Sequence, residues 1–209
     1  SKVAGSLTSQ KTELLGMIVP DVSNPFFGPI VRGAETAARK AGYRLLLCNS
    51  ESDLRLEKDY VSDLVEHRVE GLLIAPVGDR SAGHLGRLVS QHFPVVLLDR
   101  QVDGLSCDSV TLDNIDSAHR LAAHLIAVGH RRIAMVTDAE DVSTGRERLQ
   151  GVKEALAEAG IAFLEDLVSH TTTHQIGGYR AAQLILAMEK RPTAIVAVNN
   201  MTAVGSIQA

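Results

Sequence analysis

Tryptophan is absent from the 209 residues, and the aromatic complement is four Phe and three Tyr, so any adjacent pair of rings is a concentrated use of a scarce residue. No apolar run approaches the roughly 20 residues of a membrane-spanning helix. The start, SKVAGSLTSQKTE, lacks the apolar segment of a secretion signal. Cys48 and Cys107 lie far apart without metal or redox spacing, which points to reduced thiols and a cytoplasmic setting. Cys48, inside the run YRLLLC, reads as a small core residue. Basic residues are in the minority, 21 Lys and Arg against 25 Asp and Glu for a formal net charge of -4, which argues against a nucleic-acid surface on this stretch. The eight histidines offer no metal set: His119 and His124 diverge on a helix, His170 and His174 span a strand end and a threonine run, and no third or fourth ligand stands at suitable spacing. GHRR, Gly129 to Arg132, reads as a solvated helix-to-strand turn. G-x-S-x-G, P-loop and G-x-G-x-x-G motifs are missing, and no nucleophile can be placed beside a base. Neither a cofactor nor an enzyme is expected.

What the chain does contain is densest at Leu14 to Phe27, LLGMIVPDVSNPFF. LLGMIV is a nearly unbroken apolar run, which fits a strand covered on both faces in a parallel sheet. Asp21 opens a loop, and Asn24 before Pro25 predicts a helix N-cap with proline at the first helical position. Phe26 and Phe27 then fall in the first turn, where rings stack on a flat ligand face or pack into the core beneath the helix.

Strands and helices alternate from there on. A helix over about Pro25 to Ala41 is closed by Gly42; YRLLLC, EGLLIAP and FPVVLLDR read as strands, with LRLEKDYVSDLVEHR and Ala82 to His92 as the helices between them. SVTLDN reads as the crossover into a second lobe. There IDSAHRLAAHLIAVG, TGRERLQGVKEALAEAG and GGYRAAQLILAMEK are helical, RRIAMVTD, DLVSH and PTAIVAVNN are strands, and NMTAVGSIQA is a helix just beginning. The class is α/β, two lobes with parallel sheets. A complete second lobe wants at least one more strand and helix, so the C-terminal lobe is expected to be incomplete. The expected division is a hinge or linker over residues 1–12, an N-terminal lobe over 13–112 and a C-terminal lobe over 113–209.

In open α/β sheets ligands sit beyond the carboxyl ends of the strands. Asp21, Asn24, Phe26 and Phe27 follow the first strand; Asp99 and Arg100 follow FPVVLL; Asp138 to Arg148 follow RRIAMVT; Thr171 to Thr173 follow DLVSH; Asn199 and Asn200 follow PTAIVAV. If two such sheets face each other, these loops line one cleft with rings for stacking and guanidinium forks for paired hydroxyls. Arg146 and Arg148, two apart on a helix, lie about 200° apart around its axis, so at most one points inward. Asp99 and Arg100 equally read as a structural ion pair. Asn199 and Asn200 equally read as caps of the last helix.

The unbroken succession PDVSNPFF, GYRLLLCNS, VEGLLIAP, VVLLDR, VTLDN, HLIAVGHRRIAMVTD, GRERLQGV and AVNNMTAVG resembles the effector-binding domain of the lac-repressor/gal-repressor family of bacterial transcription regulators, from about Val3 to the end. The resemblance implies a fold like that of periplasmic sugar-binding proteins, two Rossmann-like lobes with effector between them, in a homodimer whose helix-turn-helix headpieces, absent from this chain, bind a near-palindromic operator. VAGSL is similar to the end of the hinge helix, with Leu7 in place of the leucine that wedges into the minor groove. Phe26 and Phe27 match the aromatic pair around effector and Asn24 the neighbouring polar contact. Asp99 and Arg100 resemble the pair that holds sugar hydroxyls, with Arg148 opposite them. Thr144 and Thr173 fall where purine-responsive members place contacts. Asn200 stands where the family most often has aspartate. The Asp99-Arg100 pair favours a sugar over a purine. The implied function is a cytoplasmic regulator, with no membrane association, that binds a small sugar-like effector. The alternative is a solute-binding component of a sugar transporter.

Overall fold

The computed structural model describes residues 11–171 and 174–209, and the chain divides into two compact units, Ser1–Thr111 and Leu112–Ala209. Leu7, with most of the expected hinge, lies outside the described residues, as does Thr173. No helix among the described residues is long and apolar enough to cross a membrane.

The first unit runs β1 (Leu14–Val19), α1 (Phe27–Lys40), β2 (Arg44–Asn49), α2 (Leu54–Glu66), β3 (Leu72–Ile74), a 3₁₀ turn (Asp79–Ser81), α3 (Ala82–Ser90), β4 (Val95–Leu98) and β5 (Asp108–Val110). Its five strands pair in parallel in the order β2-β1-β3-β4-β5. Alternation along β1 sends side chains to opposite faces. Ile18 joins Leu72, Ile74 and Val95 under Val61, Leu64 and Leu85 of α2 and α3, whereas Met17 and Val19 pack with Phe27 under α1. All three β1 residues are fully buried, as the apolar run LLGMIV predicts for a central parallel strand.

Two local expectations are corrected. Asn24 Oδ1 accepts the Phe26 N–H at 3.0 Å and the Asn24 carbonyl accepts the Phe27 N–H at 3.0 Å, so residues 24–26 form a turn and α1 starts at Phe27 rather than Pro25. SVTLDN is not simply a crossover: Asp108–Val110 is the fifth strand, paired with β4 although all three residues are exposed. Its backbone partners make it a strand, and an edge strand needs no apolar pattern. The C-terminus of α1 behaves as Gly42 predicts. Gly42 takes φ +88°, its N–H reaches the Arg39 carbonyl at 3.2 Å and the Tyr43 N–H reaches Ala38 at 2.8 Å. Arg68 and His92 adopt the same left-handed conformation after α2 and α3, at φ 57° and 60°.

The second unit runs α4 (Asn114–Ala127), β6 (Ile133–Thr137), α5 (Ser143–Glu158), a 3₁₀ turn (Glu165–Leu167), β7 (Val168–His170), α6 (Gln175–Leu186), β8 (Ala194–Ala197) and α7 (Asn200–Gln208). The sheet is parallel in the order β7-β6-β8. Ile133, Met135 and Val196 pack with Ala118 and Ala122 of α4 and Val152, Ala155 and Leu156 of α5; Ala134 and Val136 pack with Ala181 and Ile185 of α6. Both units are therefore three-layer α/β sandwiches that present loops at the carboxyl edges of their strands.

Candidate functional site

At the carboxyl edge of the first unit, Phe26 and Phe27 meet edge to face, centroids 5.1 Å apart at 81°. They are not equivalent. Phe27 is 3% exposed in the core with Met17, Val19, Ala75 and Leu98, so the core reading holds for this ring, whereas Phe26 is half-buried and leans on it. Edge-to-face packing fixes the orientation of the outer ring at a contribution of about 1 kcal/mol. Asn24 is held beside it by the turn that begins α1.

Arg100 reaches the same edge from the end of β4. Asp99 takes φ +61°, tolerable for aspartate, and its N–H bonds the Val110 carbonyl at 2.8 Å. That bend sends the Arg100 side chain beneath the segment after β3, where Nη1 donates to the carbonyls of Pro76 at 3.0 Å and Val77 at 3.3 Å. Arg100 Nε lies 3.9 Å from Asp99 Oδ2, and both side chains are at most 10% exposed. The Arg100 guanidinium is thus anchored through Nη1 by carbonyl oxygens, which offset part of the cost of burying it.

The opposite side of the same segment is held by a residue that the sequence did not single out. Glu57 of α2 is fully buried; Oε2 accepts the Val77 N–H at 2.6 Å, Oε1 accepts the Ser81 hydroxyl at 2.5 Å, and His84 Nε2 lies 2.9 Å from Oε1. Residues 76–81 are therefore clamped between Arg100 and Glu57. Only the burial of Glu57 distinguishes it from its solvated neighbours in LRLEKDY, and burial is decided by tertiary packing.

In the second unit, Arg148 of α5 donates from Nε to Asn114 Oδ1 at 2.9 Å and from Nη1 to the Val198 carbonyl at 2.5 Å, so it lies at the carboxyl end of β8. Asn114, at the start of α4 and 2% exposed, also donates to Glu147 Oε2 at 2.6 Å. It is a second residue that the pattern VTLDN does not single out, because its burial comes from tertiary packing. Arg146 points elsewhere, Nη1 to the Glu140 carbonyl at 2.8 Å, which agrees with the angular argument that the two arginines diverge. Thr144 is 3% exposed in the first turn of α5. Asn199, not Asn200, caps α7: its Oδ1 accepts the Thr202 N–H at 2.9 Å, and Thr202 Oγ1 accepts the Asn199 N–H at 3.2 Å. Asn200 is exposed on the first turn.

His170 ends β7, its Nδ1 donating to the Asp138 carbonyl at 2.8 Å, and helps to line an open cavity of about 440 Å³ with Asp138, Glu140, Arg146 and Lys153. Among the described residues, no group of three or more His, Cys, Asp or Glu side chains could hold a metal ion. Burial raises the pKa of both thiols, with Asp63 adding to the effect at Cys48 and Asp108 at Cys107, which favours the protonated thiol over the thiolate.

Residues 12–209 match the family described as periplasmic binding proteins and sugar binding domain of LacI family. The chain belongs to this family. It is 36% identical over 211 residues to the HTH-type transcriptional repressor PurR of Aliivibrio fischeri (strain ATCC 700601 / ES114), covering 99% of this chain and 62% of that one. It is 29% identical over 208 residues to the HTH-type transcriptional regulator DegA of Bacillus subtilis (strain 168), covering 99% and 61%. The crystal structure of the Cra transcriptional dual regulator of Pseudomonas putida in complex with fructose 1-phosphate is 27% identical, with a TM-score of 0.84 over 95% of this chain and 73% of that one. This LacI-family chain thus spans less than two thirds of the length of those two curated relatives, and they are named as transcriptional regulators rather than transport components or enzymes.

Proposed function

We propose that this chain is the effector-binding and dimerisation region of a cytoplasmic DNA-binding transcriptional regulator, and that its ligand is a small sugar-like molecule. The observation that carries the reading is the pairing of donors and acceptors at the carboxyl edges: Asp99 with Arg100 in one unit, and Arg148 braced by Asn114 in the other. A hydroxyl both donates and accepts, so it suits such pairs, and the half-exposed Phe26 ring offers an apolar face for a sugar ring. Asn24, Phe26, Asp99, Arg100, Thr144, Arg148, Thr173 and Asn200 are the proposed contacts, with Phe27 acting as the support of Phe26. Binding, without turnover, would bias the conformation of a homodimer and so its hold on a near-palindromic operator, contacted by a segment outside this chain. The regulator names of the relatives support this reading.

The test is selection of duplexes from a random DNA pool by the complete polypeptide, with and without a panel of sugars. Enrichment of a near-palindromic site whose occupancy changes about tenfold with one sugar, a coupling of about 1.4 kcal/mol, is expected. A protein that enriches no site under any condition sinks the regulator reading.

A further inference from the structure

We infer that Glu57 is a positioning residue for the ligand edge of the first unit: it holds Arg100 in place through a single peptide group, and so sets effector affinity without touching effector. This rests on the reading of Arg100 as an effector contact. The peptide group between Pro76 and Val77 is gripped from both edges. Its N–H donates to Glu57 Oε2 at 2.6 Å, and its carbonyl oxygen accepts from Arg100 Nη1 at 3.0 Å. A trans peptide is planar, with N–H and C=O pointing in opposite directions, so the carboxylate and the guanidinium stand on opposite sides of one rigid plate. The peptide dipole is aligned with both charges, its positive end on Glu57 and its negative end on Arg100, and each hydrogen bond polarises the group in favour of the other. Glu57 is fully buried and Arg100 nearly so, which leaves little water to screen this row of charge, dipole and charge.

Both ends of the row are themselves fixed. On the Glu57 side, the Ser81 hydroxyl donates to Oε1 at 2.5 Å and His84 Nε2 lies 2.9 Å from the same oxygen, and both residues are buried, so the carboxylate has no room to turn toward solvent. On the Arg100 side, Nη1 also donates to the Val77 carbonyl at 3.3 Å. A guanidinium is a rigid planar fork, so fixing Nη1 fixes the direction of its other donors. Without the carboxylate, the Pro76–Val77 peptide is drawn by Arg100 alone, and the fork loses its set direction. Groups that contact ligand keep a productive geometry only when supporting hydrogen bonds of this kind lock them.

Glu57→Gln is the test, because it keeps the shape and an acceptor oxygen and removes the charge. Two readouts are taken at a temperature where every variant is folded. The first is nitrogen NMR of the Arg100 guanidinium, identified by its loss in Arg100→Lys. In the wild type the Nη1 protons, tied to two carbonyls, should give resolved signals with slow rotation of the group; in Glu57→Gln that rotation should be at least about tenfold faster. A role confined to stability leaves this spectrum unchanged. The second is calorimetric titration with ribose, fructose, glucose and galactose. The sugar that the wild type binds best should bind Glu57→Gln about tenfold more weakly, and Ser81→Ala, which leaves the Val77 bond to Oε2 intact, within about twofold of the wild type. In an Arg100→Ala background, Glu57→Gln should cost no further affinity. An Arg100 spectrum that Glu57→Gln leaves unchanged, or full affinity in Glu57→Gln where Arg100→Ala has lost it, overturns the inference. If no sugar binds, or if Arg100→Ala binds as well as the wild type, the sugar reading of Arg100 fails instead, and the spectrum alone decides whether Glu57 holds the guanidinium.

Discussion

The helical glycines of the two units serve opposite ends. In the first unit a Cβ added at Gly28, Gly33 or Gly83 would meet nothing within 4 Å, and at Gly86 only an ordinary contact with Leu105. In the second unit Gly145, Gly151, Gly178 and Gly205 each lie against something. Gly145 abuts Asp138, Gly151 the Ile115 backbone, Gly178 the Thr202 backbone and Gly205 the Gln175 carbonyl. The first unit spaces its helices over the sheet with Leu, Val and Phe side chains; the second brings α4 against α5 and α6 against α7 at backbone distance. The carboxyl edges differ in the same sense. In the first, buried charges clamp a loop, and in the second a helix-borne arginine is braced by the start of a neighbouring helix.

Substitution at the glycines breaks this comparison most directly. Gly205→Ala should cost about 3 kcal/mol in urea unfolding, since the methyl would collide with the Gln175 backbone rather than with a side chain that can move. Gly33→Ala should instead stabilise by up to about 1 kcal/mol through helix propensity alone. Equal effects at the two positions would erase the distinction. Next in size, Glu57→Ala should cost about 3 kcal/mol, because it leaves the Val77 N–H and the Ser81 hydroxyl buried without their acceptor. Glu57→Gln, which keeps an acceptor oxygen, should cost less than half as much in the same melt.

Asn114→Ala sharpens the contrast between the edges. It should reduce effector affinity about tenfold, or about 1.4 kcal/mol, while Arg148 stays charged. The affinity loss with Arg148→Ala should not add to it in the double variant, because both act through one guanidinium. Smaller still, His92→Gly should raise stability by up to about 1 kcal/mol by relieving a left-handed residue after α3.

The smallest effect lies at the opposite, amino edge of the first sheet. There the backbone N–H of Glu13 is the chief cause holding the Glu70 carboxyl below the usual glutamate range, with the Thr12 N–H, the Tyr43 hydroxyl and Lys11 adding to it against partial burial. A carboxyl whose folded pKa is lowered contributes stability that is present above its unfolded pKa and lost as pH falls through the folded one. Melts between pH 6 and pH 3 should therefore fall more steeply for the wild type than for Glu70→Gln, and parallel curves would refute the assignment.

Much of this was legible in the residues. LLGMIV gave a buried central strand, Gly42 and Gly129 gave helix ends that the structure closes with left-handed glycines, and the order of motifs gave the family. These are local signals: an apolar run or a glycine after a helix carries its meaning in a few neighbouring residues. β5 was not legible as a strand, because an exposed edge strand takes its conformation from hydrogen bonds to β4 and needs no apolar pattern. Nor was the division of labour between Phe26 and Phe27, where one ring is core and the other leans on it.

The sequence by itself determined the α/β class, the parallel strands and the side on which ligand-type residues collect, because hydrophobic periodicity and turn chemistry act over short stretches. Only tertiary structure decided that Glu57 and Asn114 are buried, that Arg100 is anchored by carbonyls and Arg148 by an amide, and that Gly151, Gly178 and Gly205 are steric necessities. The physical reason is common to all of them. Burial and close approach depend on which distant segment arrives alongside, and a Glu, an Asn or a Gly looks the same in sequence whether that segment is present or not.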